Sequence, residues 1–239
     1  MKYEYSGRTD IGLEREVNQD SLGVANPKWG SIFIVADGFG HKEGGEFASN
    51  ATVDIFLKKF TEQEPLSIKQ FILDTFEEVN NHIYFNKVSQ FDNSMMGCTA
   101  VIIITQGDEA HIAHIGDSRA YLIRDDEISK LTKDHSYVQK LIDKGELLPE
   151  KAKFHPKRHV LRKALGSHRV VSPDYVTFEI LPNDKFILCS DGVWGFLPKK
   201  LLLEDVLNTE IGKATLDVIE HVKKNMGSDN ITVQIISFI

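Results

Sequence analysis

The sequence predicts an α+β fold in which a central antiparallel β-sandwich is flanked on both faces by paired helices, in four αββα layers. Three observations predict it. Strand-like apolar runs occur in groups, and helical patterns arrive in pairs between those groups, which favours layered antiparallel sheets over a doubly wound parallel fold. The chain has 239 residues, 41% of them hydrophobic, enough for one large core. No repeat or Pro/Gly/Ser linker divides it, so residues 1–239 are predicted to form a single domain.

The first half of the chain is predicted to place a helical pair between two groups of strands. A helical pattern of apolar residues runs from Gly44 to Leu57. Ser67 is positioned to cap a second helix, in which apolar residues recur at three- and four-residue steps as far as Ile83. Short apolar runs predict strands at 3–7, 21–25, 32–36, 97–105, 109–115 and 119–124.

The second half repeats this organisation around a less regular segment. The polar pair Asp125-Asp126 predicts a hairpin turn before a strand at 128–131, and Gly145 is expected to end a short helix that begins at Tyr137. Residues 146–170 are irregular and basic, and a flap-like segment is placed at about 136–170. The remaining predicted elements are strands at 175–180, 185–190 and 231–238 and helices at 198–208 and 210–225.

Charge and composition exclude several classes of protein. The formal net charge is -7 and the pI is near 5.7, which argues against general nucleic-acid binding. Cys98 and Cys189 lie in apolar, strand-like contexts and favour buried thiols over a zinc site, with a disulfide left open. The N-terminus lacks an apolar signal segment, and the longest aliphatic stretch is too short to span a membrane. We therefore expect a soluble, cytoplasmic protein, most simply a monomer.

Four acidic turns at the edges of apolar runs are the most informative feature of the chain. They are Asp37-Gly38, Asp117, Asp191-Gly192 and Asp229-Asn230. Carboxylates that converge at one end of a sheet repel each other unless they are protonated or neutralised by cations. Hard divalent cations with oxygen ligands neutralise such a cluster. Two cations about 3.5–4 Å apart would suit phosphoryl hydrolysis.

Two further residues, Arg15 and Asp20, are candidates for the same site as these turns. Arg15 presents a planar fork that matches phosphate oxygens, although on its own it is more typical of a surface ion pair. Asp20, five residues later, is on its own typical of a turn. Gly38 has no side chain, so its backbone carbonyl is free to approach a metal ion closely.

The combined motifs resemble the protein phosphatase 2C (PPM) family of metal-dependent serine/threonine phosphatases, in its compact bacterial form. The resemblance covers about residues 7–238, and the order and spacing of the motifs are more specific than any one of them. The motifs are Gly12-x-x-Arg15-x-x-Asn18-Gln19-Asp20, Val35-Ala36-Asp37-Gly38, Gly97-Cys98-Thr99-Ala100, Gly116-Asp117-Ser118-Arg119-Ala120-Tyr121, Asp134-His135-Ser136, Ser190-Asp191-Gly192 and Ser228-Asp229-Asn230-Ile231-Thr232.

The resemblance implies a distinct role for each acidic residue. Asp37 matches the carboxylate that bridges two Mn²⁺ or Mg²⁺ ions, and Gly38 matches the residue whose carbonyl binds one of them. Asp191 and Asp229 match ligands of the other ion, and Asp117 with Asp191 matches a third, weaker metal position. Two residues outside the turns complete the implied site: Asp20 matches an acid that acts mainly through metal-bound water, and Arg15 matches the residue that binds the substrate phosphate.

The implied reaction is direct attack of a metal-activated water on the phosphorus of phosphothreonine or phosphoserine in proteins, with a cognate serine/threonine kinase among the expected partners. The proton donor to the leaving group stays unassigned. Many eukaryotic relatives have histidine directly after the Asp-Gly pair, where this chain has Phe39; bacterial relatives commonly have another apolar residue there. His41, Lys42 and metal-bound water are equal candidates for this role.

Two rival functions remain at this point. The first is a catalytically inactive member of the same fold that serves as a regulatory binding module; the intact acidic motifs and Arg15 weigh against it. The second is an unrelated two-metal hydrolase of small phosphoesters or nucleic acid, and the acidic charge disfavours its nucleic-acid version. The basic segment at 146–170 is more typical of a solvated surface than of a flap that selects substrates.

Overall fold

Two five-stranded antiparallel sheets form the centre of the structure, a computed structural model that describes residues 2–41, 43–89 and 95–239. The first sheet has the strand order β1-β10-β9-β6-β7 and the second has the order β2-β3-β4-β5-β8. The strands are β1 (Tyr3–Asp10), β2 (Asp20–Ala25), β3 (Ser31–Gly40), β4 (Met96–Gln106), β5 (Glu109–Ile115), β6 (Arg119–Arg124), β7 (Glu127–Lys130), β8 (Asp174–Glu179), β9 (Lys185–Cys189) and β10 (Ile231–Phe238).

Helices cover the outer face of each sheet. Helices α1 and α2 pack on the second sheet, and α5 and α6 pack on the first. The helices are α1 (Gly44–Glu62), α2 (Ile68–Ser89), α3 (Tyr137–Asp143), α4 (Asp191–Trp194), α5 (Lys199–Asn208) and α6 (Ile211–Lys224), with a 3₁₀ helix at Pro149–Phe154.

The apolar core has three layers, as a four-layer fold requires. Phe33 and Ile103 of the second sheet pack between the sheets against Phe186 and Ile236 of the first. The other two layers lie between each sheet and its helices: Phe56 and the buried face of α2 in one, and the apolar face of α5 and α6 in the other. The predicted sandwich flanked by paired helices is confirmed.

Local sequence signals correctly predicted the start of one helix, the end of another and one hairpin turn. The Ser67 hydroxyl accepts a hydrogen bond from the Gln70 backbone N–H at 3.3 Å, ahead of α2. Asp125 and Asp126 both have positive φ angles in the turn between β6 and β7, as a two-residue hairpin of type I′ requires. Gly145, at φ +72°, follows the end of α3.

Strand β3 differs from its prediction. It continues to Gly40 instead of ending at Ala36, because β4 begins at Met96 and pairs with it over its whole length. Asp37 and Gly38 therefore lie inside a strand and not in a turn. Their partners in β4 are Thr99 and Cys98.

Three smaller features complete the comparison with the sequence. Asp191 opens a one-turn helix, α4, that is too short for a periodic pattern to show. Both cysteines are buried free thiols, so the alternative of a disulfide is wrong. Within the described ranges, no helix combines the length and the apolar character that crossing a membrane demands.

Replacing Gly23 by alanine should destabilise the contact between β2 and α1. A Cβ atom at Gly23 would lie 2.5 Å from Val53 Cγ1 and 2.8 Å from Leu57 Cδ1, and overpacking of this kind costs about 1–3 kcal/mol. Gly212→Ala is the matched control, because a Cβ atom there has open space in α6. Alanine in a helix is up to about 1 kcal/mol more favourable than glycine. Urea unfolding measures both variants, and equal midpoints would contradict close packing at Gly23.

Candidate metal centre

Five carboxylates from both sheets meet at one end of the sandwich. Asp20 and Asp37 are direct cross-strand partners in β2 and β3. Asp191 follows β9, and Asp229 stands two residues before β10, which pairs with β9 in the opposite direction. Asp117 lies in the loop between β5 and β6. The antiparallel pairing of β9 and β10 places Asp191 and Asp229 at the same edge.

The pKa values show that these carboxylates interact. Burial, and then the charges of Asp20, Asp191, Asp117 and Asp229, raise the pKa of Asp37 well above its ordinary value. Burial raises the pKa of Asp20 to about 7, with smaller contributions from the charges of Asp191 and Asp229. Without a cation the cluster therefore holds protons close to neutral pH.

Burial and neighbouring charges also raise the pKa values of Asp191 and Asp117. Burial and the nearby Asp229 charge raise the pKa of Asp191 to about 6, while a hydrogen bond with Asp37 lowers it. Burial, followed by the Asp191 charge, raises the pKa of Asp117 well above its ordinary value. Like charges held this close explain why a divalent cation would bind here.

Asp20 also joins the two sheets. Its Oδ2 accepts hydrogen bonds from the Ser190 hydroxyl at 2.8 Å and from the Thr232 hydroxyl at 2.6 Å. Thr232 lies in β10 and Ser190 directly follows β9 of the first sheet, whereas Asp20 lies in β2 of the second. All three side chains are buried. Asp20 therefore anchors the sandwich below the cluster, and its other oxygen is left for a ligand.

Arg15 lies at the exposed rim of the cluster. Its Nη2 is 2.8 Å from Asp229 Oδ2, and its side chain is 52% exposed. The ion pair with Asp229 raises the pKa of Arg15. A cationic fork thus stands at the open side of the carboxylates.

Asn230 fixes the loop that carries Arg15, a role that sequence reasoning missed. Its side-chain amide donates to the carbonyl oxygens of Ile11 at 2.9 Å and Val17 at 3.1 Å. Its Oδ1 accepts a hydrogen bond from the Gln19 backbone N–H at 2.8 Å. The signal was present in the sequence, because Asn230 follows Asp229 in the last motif.

The backbone around Gly38 approaches so closely that only glycine fits at this position. Its N–H donates to the Gln19 carbonyl at 3.0 Å. A Cβ atom at Gly38 would lie 2.1 Å from the Gly45 carbonyl oxygen and 2.6 Å from that of Gln19. No side chain fits there, so the backbone of α1 approaches β3 directly beside Asp37.

The donors at this site fit Mn²⁺ or Mg²⁺. They are carboxylate oxygens, with the Gly38 carbonyl available beside them, and hard divalent cations prefer such oxygens. Burial and mutual repulsion raise the pKa values of four of these carboxyls, so a nearby positive charge would favour their ionised forms; they are Asp20, Asp37, Asp117 and Asp191.

A second cluster has possible ligand atoms that lie close together, but their arrangement does not suit a metal ion. His114, His135 and Asp174 each offer an atom within 4.8 Å of the others. The two imidazole rings are stacked, 4.7 Å apart and 15° from parallel, so their in-plane lone pairs do not converge on one point. The Lys163 ammonium already lies 3.1 Å from Asp174 Oδ1. We interpret this group as a hydrogen-bonded network at the base of the flap-like segment.

Comparison with known proteins identifies the family. A family model described as Protein phosphatase 2C matches residues 13–213. The chain belongs to the protein phosphatase 2C family. The serine/threonine protein phosphatase PstP of Mycobacterium tuberculosis is 34% identical to this chain over 230 residues, which are 96% of this chain and 44% of PstP. This protein phosphatase 2C chain therefore spans less than half of the length of PstP.

Other relatives match over nearly their whole length. The serine/threonine phosphatase stp of Listeria innocua is 34% identical over 235 residues, covering 96% of this chain and 93% of stp. The structure of the Streptococcus agalactiae serine/threonine phosphatase superposes with a TM-score of 0.95 at 30% identity and covers 100% of both chains. A structure of the PstP catalytic domain in complex with two manganese ions has a TM-score of 0.88 at 30% identity, covering 98% of this chain and 97% of that one.

One residue of the flap-like segment, His159, lies near the carboxylate cluster of this phosphatase 2C domain. His159 Nδ1 lies 4.0 Å from Asp191 Oδ2, although the side chain is 66% exposed. The sequence favoured a solvated surface for this segment, and the structure brings one of its residues to the site. His41 is exposed and donates its backbone N–H to the Met95 carbonyl at 3.3 Å, whereas Lys42 lies outside the described residues.

The carboxylate cluster should destabilise the metal-free protein increasingly as pH rises from about 4 to about 7. The pKa values of Asp20 and Asp191 rise from 3.8 to about 7 and about 6 on folding. These carboxyls therefore bind more protons in the folded than in the unfolded state, so their contribution to the free energy of unfolding falls with increasing pH. The lowered pKa values of four histidines act in the opposite direction; they are His111, His114, His135 and His159. The variants below separate the two contributions. Thermal unfolding with EDTA at about pH 5 and about pH 7.5 measures the change.

Two variants isolate the contribution of the cluster. Asp37→Asn removes one of the repelling charges and should raise the melting temperature of the metal-free protein at the higher pH more than at the lower. Asp108→Asn, at an exposed position, should have no such pH-dependent effect. If Asp37→Asn and the native protein differ equally at both pH values, the repulsion described above is not present.

Proposed function

We propose that this chain is a Mn²⁺- or Mg²⁺-dependent protein phosphatase that hydrolyses phosphothreonine and phosphoserine. The observation that carries the proposal is the group of five carboxylates that meet at one end of the sandwich, with the Arg15 guanidinium at its open side. The names of the family's relatives support the substrate class.

The residues of the chain divide the work of binding. Asp37, Gly38, Asp191 and Asp229 would hold two core ions, and Asp117 with Asp191 would hold a third. When bound, these ions would lower the pKa of a water molecule and offset charge on the phosphoryl oxygens. Asp20 orients the site through its hydrogen bonds across the sandwich.

Arg15 would bind the phosphate group of the substrate. In the structure its fork is engaged by Asp229, a ligand candidate whose charge a cation would neutralise. Once that charge is neutralised, the guanidinium is free to form two parallel hydrogen bonds with phosphate oxygens. Arg15 and Asp229 are thus expected to exchange partners when the site is loaded.

The proposed activity leads to further proposals about the partners, the oligomeric state and the cellular location of the protein. A phosphorylated protein is the substrate, and the serine/threonine kinase that produces it is the expected cognate partner. We propose that the domain acts as a monomer in the cytoplasm. The inactive binding module remains the alternative, and the complete set of carboxylates together with Arg15 disfavours it.

Asp37→Asn should abolish turnover of a phosphothreonine peptide. Loss of the carboxylate that would bridge two ions is expected to lower kcat/KM by at least about 100-fold, and EDTA should have the same effect on the native protein. Asp108→Asn is the matched control, because Asp108 is exposed. Turnover that resists EDTA would contradict metal dependence.

The same assay separates the rival functions. Mn²⁺ binding without turnover of any phosphopeptide would establish the binding module. Preferential cleavage of a phosphodiester such as bis-p-nitrophenyl phosphate would indicate a nuclease-like hydrolase.

Arg15→Ala should weaken capture of the phosphate. A charge-assisted hydrogen bond contributes about 1.5–3 kcal/mol, so kcat/KM for a phosphothreonine peptide should fall by about 10–150-fold. Arg15→Lys should recover only part of this loss, because the ammonium cannot form the planar double contact. Arg8→Ala, which removes a contact to Thr215, is the control. Full activity of Arg15→Ala would show that Arg15 does not bind the substrate phosphate.

A further inference from the structure

A single side-chain hydrogen bond joins the two segments that carry Asp117 and Asp191. The indole N–H of Trp194 donates to the backbone carbonyl of Asp117 at 2.9 Å. Trp194 is the last residue of α4, and Asp191 is the first. The Trp194 indole therefore connects the β5–β6 loop to the helix that begins with Asp191.

The indole is itself held in a fixed orientation. The Arg119 guanidinium lies over its ring, 3.5 Å from the centroid. Arg119 donates to both carboxylate oxygens of Asp134, at 3.0 and 2.6 Å, and to the Tyr121 hydroxyl at 3.2 Å. A guanidinium fixed by three hydrogen bonds leaves the ring little freedom, because the stacking contact follows the position of the cation.

Helix α4 is equally constrained on its other side. The Val193 N–H donates to the Ser190 carbonyl at 3.2 Å, and the Gly195 N–H donates to the Asp191 carbonyl at 2.8 Å. A Cβ atom at Gly192 would lie 1.8 Å from the Asn230 carbonyl oxygen, so α4 lies directly against the start of β10. Trp194 therefore projects from a helix that is packed closely against the Asn230 backbone.

We propose that Trp194 is a positioning residue for the third cation, because its indole N–H sets the separation of Asp117 and Asp191. The proposal rests on the proposed function, in which these two carboxylates hold that ion. Arg119 seats the indole, and neither residue contributes a ligand. The two core ions, held by Asp37, Asp191, Asp229 and Gly38, do not depend on this hydrogen bond.

The two tryptophans of the chain allow a closely matched test. The Trp29 indole N–H also donates to a backbone carbonyl, that of Phe60 at 3.1 Å, on the side of α1. Trp194→Phe and Trp29→Phe each remove one indole–carbonyl hydrogen bond and keep an aromatic ring. Mn²⁺ titration by isothermal calorimetry on the full chain, with Asp117→Asn as the variant that lacks the third site, compares them without use of enzyme activity.

Trp194→Phe should weaken only the weakest Mn²⁺ binding step. A net hydrogen bond is worth about a 3- to 10-fold change in the dissociation constant, and the two tighter steps should change by less than about twofold. Trp29→Phe should leave all three steps as in the native protein. The two Phe variants should lose similar thermal stability without metal, which would separate positioning from a general structural effect.

Fluorescence provides a second measurement. In Trp29→Phe the only indole is Trp194, so quenching by paramagnetic Mn²⁺ reports the site directly. The weaker phase of this quenching should be absent in the double variant that carries both Trp29→Phe and Asp117→Asn. This measurement does not require the Trp194 variant to fold.

Several results would overturn the proposal. These are a native protein that binds only two Mn²⁺ ions, a Trp194→Phe variant whose weak step matches that of the native protein, and a loss of affinity that is equal at all three steps or equal in Trp29→Phe. None of these results would affect the phosphopeptide assay, which depends on the core ions. Conversely, absence of phosphatase activity would leave the Mn²⁺ binding result intact, so the two failures are distinguishable.

Discussion

Repulsion between buried carboxylates is the constraint on which this end of the structure depends. Asp20 and Asp37 face each other across two strands, and the other sheet brings Asp191 against them. The fold offsets the cost of this arrangement with donors placed around the cluster and with cationic side chains at its edges. These groups are the hydroxyls of Ser190 and Thr232 beneath it, Arg15 at the rim and Arg119 behind Trp194.

Much of the fold and most of the site residues could be predicted from the sequence, because these features have local signals. Helices α1, α2, α5 and α6 show the spacing of one buried face. Turn chemistry marks three other points: Ser67 before α2, Asp125-Asp126 between β6 and β7, and Gly145 after α3. The carboxylates were found because each lies beside an apolar run. Their proximity required one further step, the antiparallel pairing that brings the end of β9 next to the start of β10.

Other features depend on contacts between residues distant in the chain, which no local pattern encodes. The extension of β3 past Asp37 follows from where β4 begins. The stacking of His114 on His135, the approach of His159 to Asp191 and the hydrogen bond from Trp194 to Asp117 all join segments at least 21 residues apart. Helix α4 has a single turn, so its sequence shows no periodicity.

The pairing of β1 with β10 has a consequence for synthesis on the ribosome. Strand β1 is an edge strand whose only neighbour in the sheet is β10, in register from Tyr3 with Phe238 to Asp10 with Ile231. Translation produces β10 after every other strand of this domain, together with Asp229 and the Asn230 amide that secures the Arg15 loop. A nascent chain therefore exposes an unpaired first strand and an incomplete centre until its last segment emerges, and contacts of such long sequence separation form slowly. The carboxylate cluster is complete only after the whole domain has been translated.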